Sequence, residues 1–303
     1  MSGLDIKIPY TGDPDPTLPY AGDYDKLETV GSLALLELAH TASPFTGVPQ
    51  AGDVIQNILW SQLSAARVAG GLAASTAATS AFTRSTGNGS TGGGNDSSGK
   101  TKSERTTKGG LHGIISQSAC TNSSDQVVVI RGGTDLTSYL TAFPAHSYYV
   151  SIWDRLTRVA LTSEPAESQI PFSPSSTASY LYAIRSATIQ GGGLGTSQVP
   201  AAPATLGNRF RAAGISAVTG SGSAYTYPFA VGPSGPYYNT GTNSYTNKAA
   251  SRVLYRWYLE DLTVSGRTYA EVLAADYALY QQAFGVGGRY YGDTLPTDPS
   301  TIP

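Results

Sequence analysis

The C-terminal third of the chain contains a segment in which apolar and polar side chains alternate. Its apolar side chains occupy every second position, at Val253, Tyr255, Trp257 and Leu259. Arg256 and Glu260 lie between them. Because successive side chains of a strand point to opposite faces of a sheet, this spacing predicts a β-strand with one buried face. A chain that contains such a strand must supply neighbouring strands to pair with its backbone.

Several other segments have the composition of short strands and are separated by turn residues. They span residues 32–38, 54–60, 111–119, 126–131, 146–153, 156–161, 179–187 and 208–218. The composition agrees, since only 13% of the 303 residues are charged, while glycine, proline and tyrosine number 35, 18 and 20. Short strands with frequent turns are typical of an antiparallel sandwich or barrel. We therefore predict a mostly β protein.

One helix is predicted near the C-terminus. Thr268 and Glu271 have the spacing of a capping box, which begins a helix, and Gly285 is a typical helix end. Between these signals apolar side chains recur at helical spacing, at Tyr269, Val272, Leu273, Tyr280 and Phe284. The stripe predicts a helix that packs across one edge of the sandwich. The alanine-rich residues 61–82 are a second, shorter helix candidate.

Both ends of the chain and one internal stretch lack the apolar pattern of a folded domain. Residues 1–30 contain prolines that favour an extended backbone. We predict that this N-terminal arm packs on another subunit, through the apolar side chains of Ile6, Ile8, Tyr10, Tyr20 and Tyr24. Residues 84–110 have no large apolar side chain and are predicted to be a loop. The sandwich domain is therefore assigned to residues 31–291, and a C-terminal tail to residues 292–303.

Residues 94–101 match the pattern of a phosphate-binding loop, Gly-x4-Gly-Lys-Thr. Such a loop needs a hydrophobic strand before it and a helix after it, whose first amides bind the phosphates. Neither is predicted here, so we interpret the match as a chance occurrence in a low-complexity stretch. The other candidates are the single Cys120 and the widely separated His40, His112 and His146. They predict neither a zinc site nor a nucleophile, and we expect no enzyme.

Acidic side chains offer the remaining route to catalysis, because a polysaccharide depolymerase needs two carboxylates across a cleft. The candidates are Asp135, Asp154, Glu164, Glu167, Glu260 and Asp261. Charged side chains usually lie at solvated turns and edges, and we expect these there. The pairs Asp13/Asp15 and Asp23/Asp25 offer oxygen ligands but lack the spacing of a known calcium loop. We predict no cofactor, with Ca²⁺ as the alternative.

Aromatic residues cluster in a polar, glycine-rich stretch before the last strand. They are Tyr225, Tyr227, Phe229, Tyr237, Tyr238 and Tyr245. Tyrosine on polar loops gives rigid contact area, so the five tyrosines are candidate glycan or partner contacts. The alternative is that they cover the sandwich or a subunit interface. A net charge of −2 argues against nucleic-acid binding, and no apolar run of about 18 residues predicts a transmembrane segment.

Two segments resemble structural proteins of tailed bacteriophages. They are Ser-Tyr-Tyr-Val-Ser-Ile-Trp-Asp-Arg-Leu-Thr-Arg at residues 147–158 and Tyr-Arg-Trp-Tyr-Leu-Glu-Asp-Leu-Thr-Val-Ser-Gly-Arg-Thr-Tyr-Ala-Glu at residues 255–271. The resemblance is to tail- or baseplate-associated proteins with a concanavalin- or laminin-G-like domain, over residues 31–291 without the Gly/Ser-rich loop. It implies an antiparallel β-sandwich of the lectin-like jelly-roll type. It implies no catalytic residues.

The predicted function follows from this resemblance. The chain is expected to be a virion structural protein of the tail, tail fibre or baseplate, made in the host cytoplasm. Its expected partners are copies of itself, other tail proteins and, at host attachment, a surface glycan. The alternatives are a free-standing carbohydrate-binding module and a polysaccharide depolymerase.

Overall fold

The computed structural model describes residues 25–42, 44–50, 52–70, 72, 82–85, 101–118, 128–161, 165–168, 182–184, 193–202, 204–216, 228–231 and 250–303. Within these ranges the protein is mostly β, with antiparallel sheets and few helices. The fold class predicted from the sequence is confirmed to that level. The jelly-roll sandwich stays a prediction, because the largest sheet is open.

The strands are short except for two long central ones. In chain order they are β1 (Ser32–Leu36), β2 (Val54–Ile55), β3 (Phe82–Ser85), β4 (Thr101–Arg105), β5 (Leu111–Ile115), β6 (Val128–Arg131), β7 (Tyr148–Arg158), β8 (Pro165–Ser168), β9 (Tyr182–Ile184), β10 (Gly193–Val199), β11 (Gly207–Ile215), β12 (Phe229–Val231) and β13 (Ser251–Asp261). The helices are α1 (Trp60–Ala69), α2 (Thr134–Ala142), α3 (Leu262–Ser265) and α4 (Tyr269–Phe284), followed by a 3₁₀ turn at Pro299–Thr301.

A seven-stranded antiparallel sheet forms the centre of the molecule. Its strand order is β10-β11-β7-β13-β5-β4, and β1 also pairs with β13. The long strands β7 and β13 pair along their full length, so residues 148–158 and 255–261 of the segments that resemble phage proteins lie in the middle of this sheet. A four-stranded sheet has the order β12-β6-β3-β2, and β8 pairs with β9.

Both faces of the large sheet are covered. On one face Tyr149, Trp153 and Phe210 pack against Val272 and Tyr280 of α4. On the opposite face lies a second core that joins the sheet to α1, α2 and the four-stranded sheet. It includes Leu63, Leu111, Val128, Ile130, Leu136, Phe229 and Trp257.

The polar face predicted for β13 is also buried, because all eleven of its residues are shielded from solvent. The register of β13 against β7 shifts between Leu254 and Arg256, which marks a β-bulge. Val253 and Tyr255 pack toward α4, whereas Trp257 packs on the opposite face. The prediction that these apolar side chains share one face is therefore wrong, since a bulge inserts one residue and exchanges the faces beyond it.

α4 begins and ends where the sequence predicts. Thr268 is its N-cap, Glu271 completes the capping box, and Gly285 is its C-cap. The alanine-rich candidate is a helix only over α1, which begins at Trp60, a residue predicted to be in a strand. The two strands predicted at residues 146–153 and 156–161 are the single strand β7.

Seven of the described elements were not predicted: β3, β4, β8, β10, β12, α2 and α3. α2 places Leu136, Tyr139 and Leu140 in the core, but its threonines and serine have weak helix propensity, which hides the helix in the sequence. β4 lies inside the predicted loop of residues 84–110, because a strand of threonine, serine and charged residues lacks an apolar signal. β4 begins at Thr101, so a strand follows the phosphate-loop pattern where that site would require a helix.

Candidate functional site: the arm anchor

The last residues of the predicted N-terminal arm, from Asp25 onward, are fixed to the centre of the sheet by a buried ion pair. Arg256 of β13 donates two parallel hydrogen bonds to Asp25, from Nη1 to Oδ2 at 2.7 Å and from Nη2 to Oδ1 at 2.8 Å. The Arg256 side chain is fully buried, and that of Asp25 is 8% exposed. Two-point pairing of this kind fixes both position and orientation. We call this pair and the groups around it the arm anchor.

Glu37 supplies a second carboxylate to the arm anchor. It accepts hydrogen bonds from Arg256 Nη1 at 3.2 Å, from Arg289 Nη2 at 3.0 Å and from the Tyr290 hydroxyl at 2.6 Å. The Arg256 guanidinium also lies over the ring of Trp153, 4.7 Å from its centroid. Two carboxylates and an aromatic face therefore surround this one cation, which offsets the loss of water around it.

The charges of the anchor hold each other ionised. Burial raises the pKa of Asp25, but the charge and hydrogen bonds of Arg256 outweigh it and hold that pKa well below its usual range. Burial lowers the pKa of Arg256, and the charges of Asp25, Glu37 and Asp276 raise it above its usual value. Both Asp25 and Arg256 are therefore charged at neutral pH.

Leu27 makes the second attachment of the same segment. Its side chain is fully buried, and its backbone oxygen accepts hydrogen bonds from the Tyr258 hydroxyl at 3.2 Å and from Arg267 Nη2 at 2.9 Å. Arg267 also donates to Glu260, whose second partner is the Tyr258 hydroxyl at 2.6 Å. Residues 25–30, assigned to the arm from the sequence, thus lie on the body of the protein.

Each of the three histidines contacts a carboxylate that sequence inspection did not place beside it. His40 Nε2 lies 3.7 Å from Asp25 Oδ2, His112 Nδ1 lies 2.9 Å from Glu104 Oε1, and His146 Nδ1 lies 2.6 Å from Asp261 Oδ2. Burial lowers the pKa of His112. Among the described residues no group of three or more histidine, cysteine or acidic side chains could hold a metal ion. Of the acidic residues of the calcium alternative, Asp13, Asp15 and Asp23 lie outside the described residues, and both oxygens of Asp25 contact Arg256.

The expectation of solvated carboxylates is wrong at four positions. Asp154, Glu260 and Asp261 are fully buried, and Asp135 is 9% exposed. Asp154 accepts hydrogen bonds from Arg209 Nε at 3.1 Å and from Arg211 Nη2 at 2.8 Å. The expectation fails because Asp135, Asp154 and Asp261 have partners far away in the sequence, which the sequence pattern cannot show, while Glu260 is paired with the nearby Tyr258 and Arg267.

These partners also determine what the carboxylates can do chemically. Burial raises the pKa of Asp154, but Arg209 and Arg211 outweigh it and lower that pKa below its usual value. A carboxylate held in this state is not a proton donor. Glu164 lies outside the described residues, and the side chain of Glu167 in β8 is not described.

Three buried acids were not among the sequence candidates, namely Glu37, Glu104 and Asp276. Asp276 of α4 is fully buried and accepts hydrogen bonds from the Tyr149 hydroxyl at 2.8 Å and from Trp153 Nε1 at 3.0 Å. Burial raises its pKa, and the nearby Arg256 opposes that rise. A signal was present, since Asp276 stands four residues from both Val272 and Tyr280 in the apolar stripe of α4.

The residues predicted to contact a glycan or a partner lie outside the described part of the chain. The candidate glycan contacts Tyr225, Tyr227, Tyr237, Tyr238 and Tyr245 lie outside it, as do the arm residues Ile6, Ile8, Tyr10, Tyr20 and Tyr24 and the thiol of Cys120. Phe229 of the same aromatic cluster is described and is buried between the two sheets. The roles of the tyrosines and of the arm therefore stay predictions.

No helix in the described ranges is both long and apolar enough to cross a membrane. Comparison of the chain with protein-family models, with curated proteins and with solved structures finds no match. The arm anchor is thus interpreted from its own geometry.

Proposed function

We propose that this protein is a structural subunit of a tailed-phage virion, in the tail, tail fibre or baseplate, and that its N-terminal arm joins it to its neighbours. The observation that carries the proposal is the buried two-point pair between Asp25 and Arg256. It fixes the segment that begins at Asp25 to β13, all eleven residues of which are buried.

The position of Arg256 in the central sheet would distribute a mechanical force that acts on the arm. β13 pairs with β1, β5 and β7, so a force on the arm reaches Arg256 and is shared among three neighbouring strands. An extension used only as a flexible tail would need no buried ionic attachment. The residues that resemble phage tail proteins include this strand pair, β7 and β13, and they support the proposed role in the virion. The proposal includes the jelly-roll sandwich that the resemblance implies.

The mass of the purified protein in solution, measured by light scattering, tests the proposal. The full chain is compared with a variant that begins at Asp25 rather than at residue 31, because Asp25 and Leu27 belong to the body. We expect a closed oligomer for the full chain and a folded monomer with an unchanged melting temperature for the shortened chain.

Two results would contradict the proposal. One is a full-length chain that stays a monomer at all concentrations tested. The other is an oligomer whose mass is the same without the arm. A monomer that binds host polysaccharide would instead establish the free-standing carbohydrate-binding module.

A further inference from the structure

Three polar side chains from three strands of the large sheet form a chain of hydrogen bonds. His112 of β5 lies between Glu104 of β4 and Thr157 of β7. Its Nδ1 is 2.9 Å from Glu104 Oε1, and its Nε2 is 3.0 Å from Thr157 Oγ1. A carboxylate, an imidazole and a hydroxyl in this order are the parts of an activated nucleophile.

The protonation states of the two ionisable groups give these hydrogen bonds a direction. Burial raises the pKa of Glu104, but hydrogen bonds from Thr297, His112 and Lys102 outweigh it and hold that pKa below its usual value. The carboxylate is therefore ionised and accepts the proton on His112 Nδ1. Burial lowers the pKa of His112, so its ring is neutral at neutral pH and Nε2 has no proton. The Thr157 hydroxyl thus donates to Nε2, as a nucleophile does to its general base.

The carboxylate that orients His112 is itself held at both of its oxygens. Thr297 donates its backbone N–H to Glu104 Oε1 at 3.0 Å and its hydroxyl to Oε2 at 2.7 Å. Lys102 Nζ lies 3.1 Å from Oε2. Glu104 therefore fixes both the tautomer and the position of the imidazole, which is the task of the third group in such an arrangement.

Thr157 occupies an irregular position in its strand. The register pairs Leu156 and Arg158 of β7 with consecutive residues of β13, so Thr157 between them is the extra residue of a β-bulge. Bulges redirect side chains and are frequent beside active sites. Thr157 is partly exposed, whereas His112 is fully buried. A reagent from solvent therefore reaches the hydroxyl rather than the imidazole.

A positive charge lies close to the imidazole. Arg155 of β7 is paired with Val253 of β13, and Val253 is paired with His112. The charge of Arg155 contributes to lowering the pKa of His112, so the two groups are within electrostatic range of each other. Attack of a hydroxyl on an ester creates negative charge on the carbonyl oxygen, which a nearby cation stabilises.

We propose that Thr157 is a catalytic nucleophile, with His112 as its general base, and that it cleaves esters of small carboxylic acids. Thr157 Oγ bonds to the acyl carbon and its proton passes to His112 Nε2. The ester C–O bond then breaks, and the departing alcohol takes that proton. Water cleaves the acyl-threonine by the same proton path, which releases the acid and restores Thr157.

The surroundings of Thr157 set the size of the acyl group. The next residue, Arg158, donates hydrogen bonds from Nη1 to the backbone oxygens of Pro299 at 2.8 Å and Ile302 at 2.6 Å. The C-terminal segment thus borders the hydroxyl, which favours an acyl group as small as acetyl. The sequence-based expectation of no enzyme did not consider this arrangement, because its three members lie on different strands.

Hydrolysis of p-nitrophenyl acetate by the purified full chain tests the proposal. Release of nitrophenol is followed at neutral pH, and peptide mass spectrometry after acid quenching locates the acetyl group. We expect acetylation of Thr157 and turnover. Thr157→Val should abolish both, whereas Thr157→Ser should retain them. The matched control is Thr141→Val, the same change at an exposed threonine of α2, which should react as the parent does.

Two further measurements separate catalysis from a structural role of the three side chains. Glu104→Gln should lower the acetylation rate of Thr157 at least about tenfold while the circular dichroism spectrum stays that of the parent. The rate in the parent should be constant at alkaline pH and fall with acid through the lowered pKa of His112. A folded parent without acetyl on Thr157, or equal rates in the parent and a folded Glu104→Gln, would overturn the inference. A rate that keeps rising with pH would also overturn it, since hydroxide rather than the imidazole would then act as the base.

Discussion

The substitution Asp154→Asn tests whether buried ion pairs hold the central sheet together. Asp154 on β7 contacts Arg209 and Arg211 on β11, and all three side chains are almost completely buried. Asparagine keeps the size of the side chain but removes its charge, so two guanidinium groups lose their shared counter-ion. Removing one partner of a buried ion pair typically destabilises a protein by about 3–5 kcal/mol.

This free energy converts into a measurable shift of the melting temperature. The unfolding entropy is about 2.1 cal/mol/K per residue, or about 0.6 kcal/mol/K for a chain of this length. The variant should therefore melt about 5–8 °C lower in differential scanning calorimetry at pH 7. The matched control is Asp298→Asn, the same change at an exposed residue, where asparagine keeps an oxygen to accept the Ser300 N–H and the melting temperature should change little.

The difference in unfolding free energy between Asp154→Asn and the parent protein, called the gap below, should also depend on pH. The pKa of Asp154 is below its ordinary value of 3.8 in the folded protein, so its contribution is complete above that value. As the pH falls further, toward the folded pKa, the parent loses this contribution and the variant has none to lose. The gap should thus be constant above about pH 5 and narrow below pH 4. A gap under about 1 kcal/mol at pH 7 would refute the pairing described here.

Three further substitutions test other parts of the structure. Asp276→Asn should flatten the pH dependence of the unfolding free energy. Burial raises the pKa of Asp276, so ionisation of this carboxyl destabilises the folded parent protein as the pH rises. Urea midpoints of the variant that change with pH as steeply as those of the parent between pH 4 and 8 would contradict this. Thr268→Ala removes the N-cap of α4 and should lower the unfolding free energy by about 1 kcal/mol, with Thr268→Ser close to the parent. Gly214→Ala places a Cβ 2.7 Å from Leu194 and Tyr269 and should destabilise by about 1–3 kcal/mol, whereas an unchanged midpoint would refute the packing of that ring.

Local patterns predicted the elements that local interactions form. α4 was predicted to the residue, because its capping box and terminal glycine lie within the helix or beside it. Of the strands of the central sheet, β1, β5, β7, β11 and β13 were predicted by their composition and alternation, whereas β4 and β10 were not. The bulge of β13 was not, because it depends on how β13 aligns with β7 rather than on the sequence of β13.

The arm anchor could not be predicted, because its partners are far apart in the chain. Asp25 and Arg256 are separated by 231 positions, and Asp154 and Arg209 by 55. A single sequence contains no signal that pairs residues over such distances. What it contains is an arginine in a segment of strong strand character, and that position should be interpreted as a buried cation with an unidentified acidic partner.

The low charge content of the chain has a physical consequence for its register. Hydrophobic pairs in a sheet tolerate a shift in register, whereas a buried arginine that loses its carboxylate does not. Asp154 is paired across β7 and β11, and Arg256 on β13 is paired with Asp25 and Glu37. A register shift of two residues would keep the faces of the apolar side chains but separate these buried charges. The few charges of this protein therefore fix the alignment of its central strands, and through Asp25 they fix the position from which the arm leaves the sheet.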